Sequence, residues 1–197
     1  MKSTHPFKPF IPIKADKLII GTIPPPRFCL KDRKLYPEDV RFYYGSRDNA
    51  FWTIIEKIFD FDFEFKNSEK AINERKNALK ELGIGITDIV DQCNHSNDFA
   101  SDQDLKNLEY KDLGKLLREH PKIKTLIYTS EFVKNQINTL FRTYHSIDKR
   151  NNKIQSIKIN GTEYGVRILY SPSPNALRNL GENGSQKRER QYKDFLS

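Results

Sequence analysis

Cysteine is nearly missing from this chain of 197 residues, with Cys29 and Cys93 the only two. Two thiols are too few for a disulfide framework, a four-cysteine zinc site or an iron–sulfur cluster, so both read as structural. Apolar runs are short as well: none approaches the roughly 20 residues that span a bilayer. The N-terminus, with Lys2, Lys8, Pro6, Pro9 and Pro12, lacks the apolar core of a secretory leader. The expectation is a cytoplasmic protein with no membrane partner. His5, His95, His120 and His145 are scattered without ligand spacing, so no metal and no other cofactor is expected. Repeats and low-complexity tracts are absent. With 37% hydrophobic and 12% aromatic residues, the chain falls among globular rather than disordered proteins.

What remains is a length suited to one well-buried core, so residues 1–197 are read as a single domain and a monomer, with 1–16 as an N-terminal arm. The balance of 34 Lys and Arg against 26 Asp and Glu gives a formal charge of +8 and a pI near 9.3. That excess suits a polyanionic partner such as nucleic acid without requiring one.

Lys17 to Gly21 reads as a buried strand, followed by a long loop from Thr22 to Arg41 with the run Pro24-Pro25-Pro26. A helix through Phe51, Trp52, Ile54, Ile55, Ile58 and Phe59 follows, and a second opens at Asn67-Ser68-Glu69 and stops at Gly83. Ile84 to Val90 is the second strand, 109–119 a helix, Ile123 to Tyr128 the third strand and Glu131 to Phe141 another helix. Asn160-Gly161 marks a hairpin between Ile154–Ile159 and Tyr164–Leu169. A basic helix closes the chain, from about Ser185 to Leu196. Alternating strands and helices predict an α/β fold: a three-layer α/β/α sandwich around a mainly parallel four-stranded sheet, with one antiparallel edge strand. Three loops then converge on one sheet edge, after Gly21, Asp88 and Tyr170, where ligands of open α/β sheets bind.

The most informative segment is Phe42-Tyr43-Tyr44-Gly45-Ser46-Arg47-Asp48-Asn49-Ala50-Phe51-Trp52. It sets adjacent aromatics, a turn and an amide together, a combination able to stack a flat ring and address its edge. Asp48 and Asn49 read first as helix caps and, as the competing reading, as groups that hold and activate a water. Tyr44, before the turn glycine, is either a pocket wall or core; Phe51 and Trp52, at helical spacing, read as core. Asp88, at a strand end, is either a turn cap or an acceptor for N–H groups.

On these residues the chain resembles the uracil-DNA glycosylase superfamily, and within it the hypoxanthine-DNA glycosylase-like branch. Leu18-Ile19-Ile20-Gly21-Thr22-Ile23-Pro24 is similar to the first motif, Phe42 to Trp52 to the branch's signature, Gly83 to Asp88 to the central strand and Ser171-Pro172-Ser173-Pro174 to the loop that grips DNA. The ordered set spans nearly the whole chain. The resemblance implies a monofunctional DNA glycosylase that hydrolyses the N-glycosidic bond of a deaminated base, hypoxanthine or uracil, flipped out of DNA. It implies Asn49 as the catalytic amide, because Ile23 stands where mismatch-specific members carry an Asn; Asp48, a carboxylate next to it, is the alternative water-activating group on its chemistry alone. Gly21, Thr22, Ile23, Tyr44 and Asp88 would form the base pocket. Ser171, Ser173, Asn175, Leu177, Arg178, Lys187 and Arg188 would contact DNA, Leu177 or Arg178 as a wedge.

The chain departs from the pattern at Ser171, where uracil-specific members carry His, and at Ser46, Arg47 and Asp48, where the branch commonly has His, Pro and Gln. Its loop before Tyr44 is also longer than usual. Two other functions fit the same residues: a catalytically silent nucleic-acid-binding module and a hydrolase of free nucleotides. Salt-dependent preference for oligonucleotides separates the first two from the last.

Overall fold

The computed structural model describes residues 1–95, 102–148, 153–173, 176–177 and 180–197. The chain opens with β1 (Lys2–Thr4) and β2 (Lys17–Gly21), followed by a short α1 (Pro26–Cys29) inside the long loop, α2 (Phe51–Phe59) and α3 (Glu69–Glu81). Then come β3 (Ile84–Asp88), β4 (Val90–His95), β5 (Leu105–Tyr110), α4 (Leu113–Glu119), β6 (Thr125–Tyr128) and α5 (Glu131–Phe141). The chain closes with β7 (Ser146–Asp148), β8 (Lys153–Ile159), β9 (Thr162–Ile168) and α6 (Gly184–Leu196).

A six-stranded sheet in the order β3-β2-β6-β9-β8-β7 forms the middle layer. β3, β2, β6 and β9 run parallel, and β8 and β7 add two antiparallel strands at one edge. The period-2 alternation of a strand sends neighbours to opposite faces. Ile19 of β2 therefore packs with Phe51, Trp52, Leu79 and Tyr192 of α2, α3 and α6, while Leu18 and Ile20 pack with Leu113, Leu117, Val133 and Ile137 of α4 and α5. This is the three-layer α/β/α arrangement, with one antiparallel strand more than expected.

Local sequence accounts for most boundaries. Ser68, Asp112 and Ser130 each accept a bond from a first-turn amide, of Ala71, Lys115 and Val133 respectively. Gly83, at φ +66°, follows α3, and Asn160 with Gly161 take the positive φ values that a two-residue hairpin turn demands.

Two expectations need correction. The helix over 109–119 starts only at Leu113, because Leu105–Tyr110 pairs as a strand with β4. The second strand divides at Ile89: β3 stays in the main sheet, whereas β4 joins a separate antiparallel sheet ordered β1-β4-β5. The N-terminal arm supplies the outer strand of that sheet, with Ser3 opposite Cys93, and Phe10 bridges Ile86 of β3. It thereby covers the edge of the central sheet. Among the described residues no helix is long and apolar enough to cross a membrane.

Candidate functional site

β2 and β3 end side by side, with Gly21 opposite Asp88, and β6 ends next to them at Tyr128. The three strand ends bring together Gly21, Tyr44 and Asp88, residues far apart in the chain. A Cβ placed on Gly21 would lie 2.2 Å from Tyr44 Oη and 2.3 Å from Asp88 Oδ1, so only glycine lets these two polar atoms meet over the strand end. Tyr44 takes a left-handed backbone, φ +55°, that a bulky residue seldom adopts. Its ring stacks on Phe51 with centroids 4.6 Å apart, and its hydroxyl bonds Thr129 Oγ1 at 3.1 Å. The residue is half-buried, but its phenol end is enclosed; burial first, then the charge of Asp88, pushes its pKa well above the ordinary value.

Asp88 is 5% exposed. His5 Nε2 lies 2.8 Å from its Oδ2, and His5 Nδ1 faces both the Phe7 N–H at 3.1 Å and the Phe7 carbonyl at 2.9 Å. With Nε2–H donating to Asp88, the neutral ring accepts from the Phe7 amide, and an imidazolium donates to the Phe7 carbonyl; neither requires the ring to turn. Lys111 sits behind this pair with Nζ 3.2 Å from the Phe7 carbonyl. Burial lowers its pKa, against the opposing pull of Asp88 and Asp91. The Cys29 thiol nearby is pushed up to about 12, mainly by burial, so it stays protonated and inert.

Asp102 approaches the same edge from the connection between β4 and β5. Its Oδ2 accepts from Thr22 Oγ1 at 3.1 Å and Ser130 Oγ at 3.4 Å. Burial pushes its carboxyl up to about 6 despite those bonds, and the charge of Asp88 adds to the rise.

Asn49 and Asp48 lie on the outer side of Tyr44. Asn49 Oδ1 accepts from the Phe51 N–H at 2.9 Å, an Asx turn one residue ahead of the N-cap Ala50 that satisfies the first amide of α2. It also borders a cavity of about 40 Å³ shared with Tyr44, Ser46, Trp52, Thr53 and Arg75, room for a few waters and far too little for a base. Asp48 is exposed and bonds Arg27 Nη2 at 2.9 Å.

Arg27 belongs to a clasp that ties the long loop to the turn. Its guanidinium grips buried Asp39 in a fork, Nε to Oδ2 at 2.8 Å and Nη2 to Oδ1 at 2.9 Å, and Nη2 also reaches Ser46 Oγ at 2.7 Å. Asp39 further accepts from the amides of Tyr36 and Arg47 at 2.8 and 2.9 Å. Burial alone would raise the Asp39 carboxyl, but these donors outweigh it and hold it below the usual range.

The last loop meets the turn where the Ala50 N–H donates to the Pro172 carbonyl at 3.0 Å, while the Ser173 N–H donates to Ser171 Oγ at 3.2 Å. Arg188 is a correction: it is 3% exposed and bonds the Ser171 carbonyl at 3.3 Å, so it braces the loop from within instead of facing a phosphate. Lys187 is exposed, with Nζ 3.3 Å from the Leu180 carbonyl. Leu177 is half-buried and packs near Gly184, and Ile23 is half-buried against the α4–α5 side of the core. Asn175 and Arg178 lie outside the described residues. Among those described, no group of three or more His, Cys, Asp or Glu is placed to hold a metal. A groove of about 340 Å³, lined by Asn138, Arg142, Thr143 and Tyr144, lies at the far end of α5, away from these strand ends.

His5, Thr129, Ser130 and Asp102 are site residues that the sequence reading missed, as are Arg27 and Asp39 of the clasp. His5 sits in an arm without periodicity, and its bond to Asp88 spans 83 positions, so no local signal marks it.

No family model matches the chain. The tRNA uridine 5-carboxymethylaminomethyl modification enzyme MnmG 1 of Fusobacterium nucleatum subsp. nucleatum is 28% identical over 167 residues, 76% of this chain. The chain spans 24% of that protein's length. A solution NMR structure of a Methanosarcina acetivorans protein, provisionally described as a uracil DNA glycosylase, superposes with a TM-score of 0.61 over 98% of both chains, at 18% identity. The chain has the fold of that structure.

Proposed function

We propose that the protein is a monofunctional DNA glycosylase of the uracil-DNA glycosylase superfamily, hydrolysing the N-glycosidic bond of a deaminated base, hypoxanthine or uracil, extruded from DNA. The observation that carries this reading is the meeting of Gly21, Tyr44 and Asp88 over the ends of β2 and β3, with Asn49 on a small cavity that Tyr44 also borders. The shared fold and the formal charge of +8 support it.

Breaking the bond between C1′ and the base nitrogen leaves positive charge on the sugar and sends an electron pair to the base. An Asn carbonyl has two lone pairs. One of Asn49 takes the Phe51 N–H; the other and the amide remain to orient a water toward C1′. The Asp88 Oδ1 turned toward Gly21 suits a base edge that presents N–H groups, as hypoxanthine does at N1. The Tyr44 ring, stacked on Phe51, would turn outward on base entry to stack on the base, a contact worth about 1–3 kcal/mol. Ser171 and Ser173 on the proline-stiffened loop would take the backbone phosphate.

The test is base release from duplex and single-stranded oligonucleotides, each carrying one hypoxanthine, uracil or adenine, with wild type and Asn49→Ala. Expected is release of hypoxanthine before uracil, an intact abasic strand, and a loss of about 10²-fold or more in the variant, the usual order for removing one positioned polar group. Nicking without alkali that Asn49→Ala abolishes would overturn the monofunctional reading. The Asx turn held by Asn49 and the Tyr44 ring stacked on Phe51 favour a second reading, a silent nucleic-acid-binding module. Tight, salt-sensitive binding with no base released from any substrate would select it.

A further inference from the structure

The strand-end site contains two enclosed carboxyls whose surroundings differ. Asp88 faces the His5 ring, an N–H donor that can also carry a charge, whereas the partners of Asp102 among the described residues are two neutral hydroxyls, of Thr22 and Ser130. Both hydroxyls bond Oδ2, which leaves Oδ1 as the oxygen on which a proton can sit. Among the described residues, the elements packed around Asp102 offer no cation to hold its charge: the end of β2 gives Thr22, the N-cap of α5 gives Ser130, the end of β3 gives Asp88, itself acidic, and the turn gives the neutral phenol of Tyr44. Two carboxyls in one site, one bonded by an imidazole and one, among the described residues, only by hydroxyls, is the arrangement by which acid and base roles are divided.

Resting on the glycosylase reading above, we propose that Asp102 is the catalytic acid of this site and protonates the departing base. As the bond from C1′ to the base nitrogen breaks, its electron pair goes to the base, and the Asp102 proton passes to a ring nitrogen or oxygen of that base. Water adds to C1′ through its oxygen, and the proton it sheds returns to the Asp102 carboxylate, so the acid is restored and no other reactant is consumed. Thr22, at the end of β2, and Ser130, at the N-cap of α5, hold the carboxyl beside the strand ends. A carboxyl that keeps its proton to about pH 6 can serve as such an acid near neutrality. The role also fits a site whose last loop has Ser171 and no imidazole to steady the leaving base.

The experiment measures single-turnover release of hypoxanthine and of 5-fluorouracil from oligonucleotides between pH 4.5 and 9. Wild type, Asp102→Asn and Thr22→Val are compared. Hypoxanthine leaves poorly as an anion; 5-fluorouracil leaves readily without a proton. Wild-type release of hypoxanthine should fall as the pH rises through about 6, where Asp102 loses its proton. Asp102→Asn should slow it by about 10²-fold and abolish that fall, with under tenfold loss on 5-fluorouracil. Thr22→Val removes a bond to the charged form and should move the fall to higher pH. Equal losses on both bases, or an Asp102→Asn profile like that of wild type, overturn the acid role while leaving the glycosylase reading in place. Failure of wild type to release either base overturns both.

Discussion

Asp39 and Asp102 are both withdrawn from water at the two ends of the site, yet their carboxyls move in opposite directions. Asp39 receives a forked guanidinium and two backbone amides, and its charged form is favoured in spite of burial. Asp102 receives two hydroxyls and feels another acid, and its neutral form is favoured up to about pH 6. Burial disfavours the charge in both; the presence of a cation decides which form wins. The first region therefore holds shape, and the second holds a proton. The clasp also joins the two departures from the hypoxanthine-type pattern, because the long loop supplies Arg27 and Asp39, and the altered turn supplies the Ser46 and Asp48 side chains and the Arg47 amide that they bond. They are one structural change.

The largest effect expected from this contrast is that of Asp39→Ala. It leaves the Arg27 guanidinium, whose side chain is 16% exposed, without its main partner and frees two amides. Removing one member of a buried pair costs about 3–5 kcal/mol, and urea unfolding at pH 7 should show it. A loss under about 1 kcal/mol would mean that the clasp holds without its acid. Because the Asp39 carboxyl is depressed, its contribution is present above about pH 4 and fades as the pH falls below that.

Asp102→Asn should act with the opposite sign. The native carboxyl keeps its proton to about pH 6, whereas the unfolded chain releases it near the ordinary value of about 4. Wild-type stability therefore falls as the pH rises from about 4 to 6 and stays lower above that. The variant lacks this slope and should be more stable at pH 8 by about 2–3 kcal/mol, with little difference at pH 4. Thermal unfolding at the two pH values checks it; equal stability of the two proteins at pH 8 would remove the contrast with Asp39.

His5→Ala should cost about 1–3 kcal/mol by leaving the Asp88 carboxylate buried without its donor. It should also weaken the proposed preference for hypoxanthine over uracil, since Asp88 is then free to turn away. An unchanged preference in competition assays would show that His5 serves only the packing of the arm.

The layers and most turns were legible because they rest on local physics. Leu18-Ile19-Ile20 is an apolar run with a core on both faces, Ser68 and Ser130 cap helices as their positions suggest, and Asn160-Gly161 makes its hairpin. The helix expected over 109–119 took in Glu109 and Tyr110, which belong to a strand that exists only through pairing with β4. In the site, Gly21, Tyr44 and Asp88 come together because each sits at a strand end or a turn. His5, Asp102 and Asp39 could not be read, since each is defined by bonds across loops without periodic pattern. Asn49 is the instructive case: the bond to the helix start and the bordering cavity coexist in one side chain, so the two readings were never exclusive.

The smallest effect belongs to the most conspicuous residue of the altered turn. Arg47 lies over the Tyr36 ring at 3.7 Å and bonds Glu38 at 3.3 Å, but its side chain is 42% exposed. Exposed ion pairs and cation–π contacts are worth about 1 kcal/mol or less. The tie to Asp39 runs through the Arg47 backbone N–H, which any residue but proline supplies. Arg47→Ala should therefore cost under about 1 kcal/mol, while Arg47→Pro, which removes that donor, should cost more. Should Arg47→Ala prove as damaging as Asp39→Ala, the clasp would be held by its outer face and not by the buried acid. If this half-exposed guanidinium also meets a phosphate, Arg47→Ala weakens binding to every oligonucleotide alike and lowers the slope of log affinity against log salt by about one.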